Sequence, residues 1–244
     1  MFFLLLLGIL KTIVFDINAS PEFTLMIPLY NEKIKVRYDE YIQCLDINLN
    51  NPNISQVHII YDTSKDKREL LFLELLKQLQ TASSKPIVIT YIKGRQTFRD
   101  FFDVANQLYP NQNIIVSNAD IYFDETLSLF ENYNLTGQFL GLTRREGDGS
   151  IWKHLCDINQ PLRSDSQDSW IFRTPINIAN AGFQLGTIAC DPYIAFAAEQ
   201  SGYKVRNPCM SIKAHHVHGS LVRHYNARAG YDVKKCKILR LENL

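Results

Sequence analysis

The chain has 244 residues, 46% of them hydrophobic and 21% charged, with 26 basic against 25 acidic side chains and a net charge of +1. That length holds one sizeable α/β domain, and the balanced charge removes the electrostatic case for a nucleic-acid partner. The cysteines, Cys44, Cys156, Cys190, Cys209 and Cys236, make no CxxC pair. Zinc-ribbon chemistry is therefore excluded, and the odd count argues against a full disulfide framework.

Residues 1–22 form an apolar N-terminal segment interrupted at Lys11. The uninterrupted run Met1–Leu10 is too short to span a bilayer as a helix. It fits a signal core or an anchor, which would give membrane association, although the positively charged start of a signal is missing. It equally fits an apolar element packed on the domain. Asn18, Asn53 and Asn134 each begin a glycosylation sequon.

From Phe23 onward strands and helices alternate. Phe23–Pro28 is an apolar run ended by proline, read as a first strand followed by a loop at 29–32. Arg37–Asn48 carries Tyr38, Tyr41, Ile42 and Leu45 at helical spacing. Val57–Tyr61 reads as a second strand, Leu70–Leu79 as a helix and Ile87–Ile92 as a third strand. Thr97 is placed to cap a helix over Phe98–Leu108. This order implies a parallel sheet wound in right-handed βαβ units, with ligands beyond the carboxyl ends of the strands.

The central stretch is Ile114–Asp124. Ile114-Ile115-Val116 is an apolar run of the kind buried on both faces of a parallel sheet. It turns polar at Ser117-Asn118-Ala119-Asp120, where alternation projects Asn118 and Asp120 to one side. Oxygen ligands at that end of a central strand suit a hard divalent cation carrying a diphosphate. The plain alternative is an Asx turn with Asp120 in solvent. Nearby loops add Asp62, able to accept from a base or ribose, and Arg95 and Arg99 beside a helix N-terminus, where anions bind.

The second half supplies candidates for an acceptor. Phe139–Thr143 reads as a strand, followed by Arg144-Arg145 and a polar loop at 146–150. In the stretch around SQDSWIF, Trp170 is placed to stack on a sugar ring while Asp168 takes a hydroxyl proton as general base. Core packing for Trp170 and a cap for Asp168 are the plain alternatives. Asp191 ranks second as a base and has an acceptor-binding role. Its place before Pro192 makes a helix N-cap its leading role, ahead of a helix at 192–200. A short strand follows at 203–205, and 234–244 reads as a tail with little chemistry. In KAHHVHGS, His216 and His218 share one face of an extended segment and His215 opposes them.

IPLYNE, IIYDTSKD and SNADIYFD, in that order, resemble nucleotide-sugar glycosyltransferases of the GT-A fold, of the polysaccharide-building type found in bacteria and large viruses. The resemblance implies a single α/β, Rossmann-like domain over 23–244, its mostly parallel sheet flanked by helices. It implies sugar transfer from a nucleotide-diphosphate sugar to a glycan or other hydroxyl acceptor, assisted by Mn2+ or Mg2+. Donor binding then falls to Tyr30, Asn31, Asp62, Arg95, Asn118, Asp120 and Arg223, and metal binding to Asp120, His216 and His218. The chain departs from the family's DxD motif at Asn118, which brings no charge. An aspartate there would be expected to raise metal affinity. The competing reading is a non-catalytic domain of the same fold that binds a nucleotide or glycan. A sugar-nucleotide pyrophosphorylase would need a glycine-rich loop where LYNEKIK stands. A zinc hydrolase built on HHVH would need an acidic partner motif that is missing.

Overall fold

A computed structural model describes residues 22–65, 83–146, 156, 166–220, 236–237 and 239–244. The helix expected over 70–79, and all of the N-terminal segment but Glu22, lie outside that set. Among the described residues no helix is long and apolar enough to cross a membrane; the membrane association expected of residues 1–22 falls almost wholly outside that set.

The strands are β1 (Phe23–Tyr30), β2 (Ile54–Asp62), β3 (Ile87–Ile92), β4 (Asn113–Ser117), β5 (Ile121–Phe123), β6 (Gln138–Leu142), β7 (Arg145–Glu146), β8 (Ser169–Arg173), β9 (Lys204–Arg206) and β10 (Ala214–His216). The helices are α1 (Lys35–Asn50), α2 (Phe98–Leu108) and α3 (Cys190–Gln200). Seven strands form one sheet in the order β3-β2-β1-β4-β8-β6-β9. It is parallel except where β8 runs against β4 and β6. The run expected to be central, β4, is the fourth of seven.

Alternation along the strands builds two cores, one on each face. Leu25, Ile27 and Leu29 of β1, Ile115 of β4 and Ile171 of β8 enter one core, beneath α1. Met26, Ile114, Val116, Trp170 and Phe172 enter the other, beneath α2 and α3. A strand apolar on both sides is how a sheet covered on both faces reads in sequence. The second core is rich in rings: Phe98 meets Trp170 edge-on at 4.7 Å and Phe102 meets Phe172 at 5.4 Å. Trp170 is 0% exposed. A ring with no open face cannot stack on a sugar, so its expected acceptor role is replaced by core packing.

The α2 start follows the sequence closely. The Thr97 side chain accepts from the Asp100 backbone N–H, and the Asp100 carboxylate accepts from the Thr97 N–H at 2.7 Å, a reciprocal capping box. In α1 the buried face differs from the expected one. It carries Arg37, Glu40, Tyr41, Cys44, Leu45, Asn48 and Leu49, while Tyr38 and Ile42 are only partly buried. The end of the tail is tied to β9 and the residue after it: Glu242 N–H donates to the Asn207 carbonyl, and Arg206 Nε lies 2.6 Å from Glu242 Oε1. Cys156 and Cys209 form a disulfide, leaving Cys44, Cys190 and Cys236 as thiols.

Candidate functional site

A second, three-stranded sheet in the order β5-β10-β7 stands beyond the end of β4. β10 pairs antiparallel with β5 and parallel with β7, which sets His216 opposite both Ile121 and Glu146. The Val217 N–H donates to the Asp120 carbonyl at 2.9 Å. α1 fixes β5 from behind through Asn48, whose amide bonds the Ile121 carbonyl and the Phe123 N–H. Asp120, Glu146 and His216 are thereby carried to one place by three separate segments.

Their side chains form a continuous polar chain. His216 Nε2 lies 3.0 Å from Asp120 Oδ2, and His216 Nδ1 lies 2.7 Å from Glu146 Oε2. Arg144 bridges Glu146 at 2.6 Å and Asp168 at 2.7 Å. The Asn118 amide donates to Asp168 Oδ1 at 2.8 Å. At the other end Arg37 pairs with Asp120 and, at 2.6 Å, with both Glu40 and His218 Nδ1. Tyr30 donates to Glu32 at 2.9 Å and meets the Tyr41 hydroxyl at 3.3 Å.

The charges explain the protonation states. Burial alone would lower the His216 pKa, but carboxylates facing both ring nitrogens carry it up to about 9. Burial would raise Asp120, yet His216, His218 and Arg37 hold it well below the usual carboxylate range. Glu146, against the same opposing pull of burial, falls to about 2 beside His216 and Arg144. Asp191 behaves the other way. Burial and then the neighbouring Asp168 carboxylate push it well above the ordinary aspartate value, while the Cys190 thiol donates to its Oδ1 at 2.9 Å.

Asp120, His216 and His218 each present a ligand atom within 4.8 Å of the others. This donor set fits a divalent cation. One carboxylate and two imidazoles suit manganese or zinc, and Glu146 on Nδ1 orients His216 as carboxylates orient metal-binding histidines. His218 Nε2 is buried and has no hydrogen-bond partner among the described residues. His215 points the other way, stacking on Tyr122 and pairing with Asp124 at 2.9 Å.

The other expected site residues are held by contacts of their own. Asp62 is 2% exposed, and its Oδ1 accepts from the Ser64 and Gly94 N–H groups, tying the ends of β2 and β3 together. Arg95 donates to the Leu185 and Gly186 carbonyls at 3.0 and 2.6 Å, so it fastens the loop before α3. Arg99 donates to the Ile178 carbonyl at 3.0 Å. Asn31 is partly buried just past β1. Asp191 makes no side-chain cap: α3 starts at Cys190, and its N-cap residue is Ala189 in the left-handed conformation. Arg223 lies outside the described residues.

Arg37, Glu40, Arg144 and Glu146 belong to this centre and were not expected from sequence. The signal for Arg37 was its i, i+4, i+7, i+8 and i+11 spacing to Tyr41, Cys44, Leu45 and Asn48, which places a charge on a buried face. Glu146 had no local signal.

Among solved structures, this chain is similar to the mannosyltransferase PcManGT from Pyrobaculum calidifontis, solved in complex with GDP-Man and Mn2+. The TM-score is 0.54 at 15% identity, over 79% of this chain and 56% of that one. It is likewise similar to residues 1–349 of TarS from S. aureus, with TM-score 0.53 at 10% identity, over 80% of this chain and 60% of that one. Against a further TarS structure it covers 37% of the longer chain at 12% identity. The chain has the GT-A fold. It spans 56–60% of the length of the first two neighbours. No family model and no curated protein matches the sequence.

Proposed function

We propose that residues 23–244 act as a glycosyltransferase domain, moving a sugar from a nucleotide-diphosphate sugar to a hydroxyl acceptor with a divalent cation, Mn2+ or Mg2+, bound at Asp120, His216 and His218. The observation that carries this is the convergence of those three ligand groups at the carboxyl end of the central strand of a GT-A fold. A divalent ion held there supplies positive charge to the leaving diphosphate. Glu146 orients His216, and Asn48 and the small sheet hold Asp120 in place. We assign donor contacts to Tyr30, Asn31 and Asp62, at the ends of β1 and β2, and to Asn118 at the end of β4.

The acceptor proton goes to the Asp168–Asp191 pair. Asp168 is immobilised through both oxygens, by Asn118 and Arg144. Asp191 is partly exposed, and burial and the Asp168 charge raise its affinity for a proton, so it takes the acceptor's proton once its own has left for solvent. We therefore assign the proton to Asp191, with Asp168 holding it high and positioning Arg144.

A panel of nucleotide sugars, each with Mn2+, Mg2+ or chelator, tests the assignment by nucleoside diphosphate release. Release with at least one donor, dependent on the ion and lost in Asp120→Ala, is expected. A second reading, a nucleotide- or glycan-binding domain without turnover, is favoured by the uncharged Asn118. Donor binding by calorimetry with no release in any combination would establish it.

A further inference from the structure

Arg37 is a buried cation inside this centre for which sugar transfer alone gives no role. It is 8% exposed, the third residue of α1, and every edge of its guanidinium is engaged. One terminal nitrogen binds Asp120 Oδ2. The other lies 2.6 Å from Glu40 Oε2 and 2.6 Å from His218 Nδ1. Nε donates to the Tyr41 hydroxyl at 3.1 Å, and the guanidinium carbon stands 4.7 Å over the Tyr41 ring.

Two of these partners, Asp120 and His218, are also two of the three groups able to hold an ion. A guanidinium and a divalent cation cannot share those lone pairs at full strength, and in a site shielded from water their repulsion is large. Glu40 does not depend on Arg37 alone, since the Ser220 N–H and hydroxyl bond its two oxygens at 2.8 and 3.1 Å. Moving the Arg37 fork off Asp120 would therefore leave no carboxylate stranded: the ion would take Asp120, and Ser220 would keep Glu40.

We propose that Arg37 is the built-in counter-cation of this site, competing with the divalent ion for Asp120 and His218, and that an arriving nucleoside diphosphate relieves the competition by giving the displaced guanidinium a new acceptor. The planar fork matches phosphate oxygens in two contacts at once. Ion and diphosphate then tighten each other's binding, and by linkage the effect is reciprocal. The inference rests on the metal reading of the Asp120–His216–His218 cluster and adds to it the residue that controls loading.

Titration with Mn2+, followed by the electron paramagnetic resonance signal of the free ion, tests this without any transfer assay. Wild type, Arg37→Met and Arg37→Lys are compared, each alone and with UDP or GDP, after thermal melts of all three. Arg37→Met is expected to bind Mn2+ at least roughly tenfold tighter than wild type without nucleotide, because a neighbouring positive charge is gone. UDP or GDP should tighten Mn2+ binding in wild type, and that tightening should shrink in Arg37→Met. Arg37→Lys keeps the charge but not the fork, so it should fall between the two, and it decides the matter if Arg37→Met does not fold. Mn2+ bound by wild type but no tighter by a folded variant overturns the role of Arg37 and leaves the metal site standing. Mn2+ bound by none of the three overturns both.

Discussion

Asn118 occupies the position at which the resembled motif carries its first aspartate, and its neighbours give a reason for the amide. Its Nδ2 donates to Asp168 Oδ1 at 2.8 Å, and its backbone N–H donates to the Asp168 carbonyl at 3.0 Å. A carboxylate at 118 would face a second carboxylate, as in the pairs whose members cannot both ionise comfortably. Any gain in metal affinity from the added charge of Asn118→Asp is therefore set against the loss of this contact. That variant should lose about 1–3 kcal/mol of stability in denaturant titration, the usual consequence of leaving a buried group without its partner. Unchanged stability would show that the contact contributes nothing. The two aspartates beyond it separate by kinetics. Asp191→Asn should cut turnover by roughly two to four orders of magnitude with donor binding intact, the usual worth of a general base. Asp168→Asn should weaken the Arg144 bridge and give the smaller loss. The reverse order would return the base role to Asp168.

At the scale of elements, what could be read from sequence was whatever is local and periodic. The Thr97 cap and the bounds of α2 follow from a polar residue before an amphipathic run, with Asp100 three residues on. The two-sided apolar run of β4 follows from burial on both faces. Register across segments has no such signal. Nothing near Glu146 says that two residues of β7 will lie beside β10, so the residue orienting His216 was invisible. Arg37 is hidden for a different reason: the apolar spacing of α1 points to Tyr38 and Ile42, while the helix turns its charged Arg37 and Glu40 inward, where Arg37 pairs with both Asp120 and Glu40. Asp-Pro at 191–192 fits a cap, but the chain enters α3 through Ala189 at φ 60°. A left-handed alanine costs about 1 kcal/mol that glycine does not. Ala189→Gly should therefore leave the melting temperature unchanged or raise it. A clear fall would mean that the alanine methyl packs against something worth more than that strain.

For the whole molecule, buried groups that titrate in opposite directions shape stability against pH. His58 of β2 is 0% exposed between the Tyr109 hydroxyl at 2.6 Å and Thr90 at 2.8 Å, and burial lowers it to about 4. The unfolded chain therefore takes up a proton on this histidine near pH 6.5 while the folded chain refuses it until about 4, so its contribution is complete above 6.5 and declines toward 4. Glu146, lowered from 4.5 to about 2, adds a loss at still lower pH. His216 runs the other way. Raised from 6.5 to about 9, it stabilises fully below 6.5, and that contribution is lost as pH climbs through 9. The chelated protein should accordingly be most stable near pH 6.5, with its melting temperature falling on both sides. Melts taken in chelator from pH 4 to pH 10 check this. His58→Gln should flatten the arm between 4 and 6.5, and His216→Gln the arm between 6.5 and 9, each leaving the other slope in place. If His216→Gln leaves the alkaline slope as steep as wild type, the paired imidazolium between Asp120 and Glu146 is not what holds this end of the molecule together.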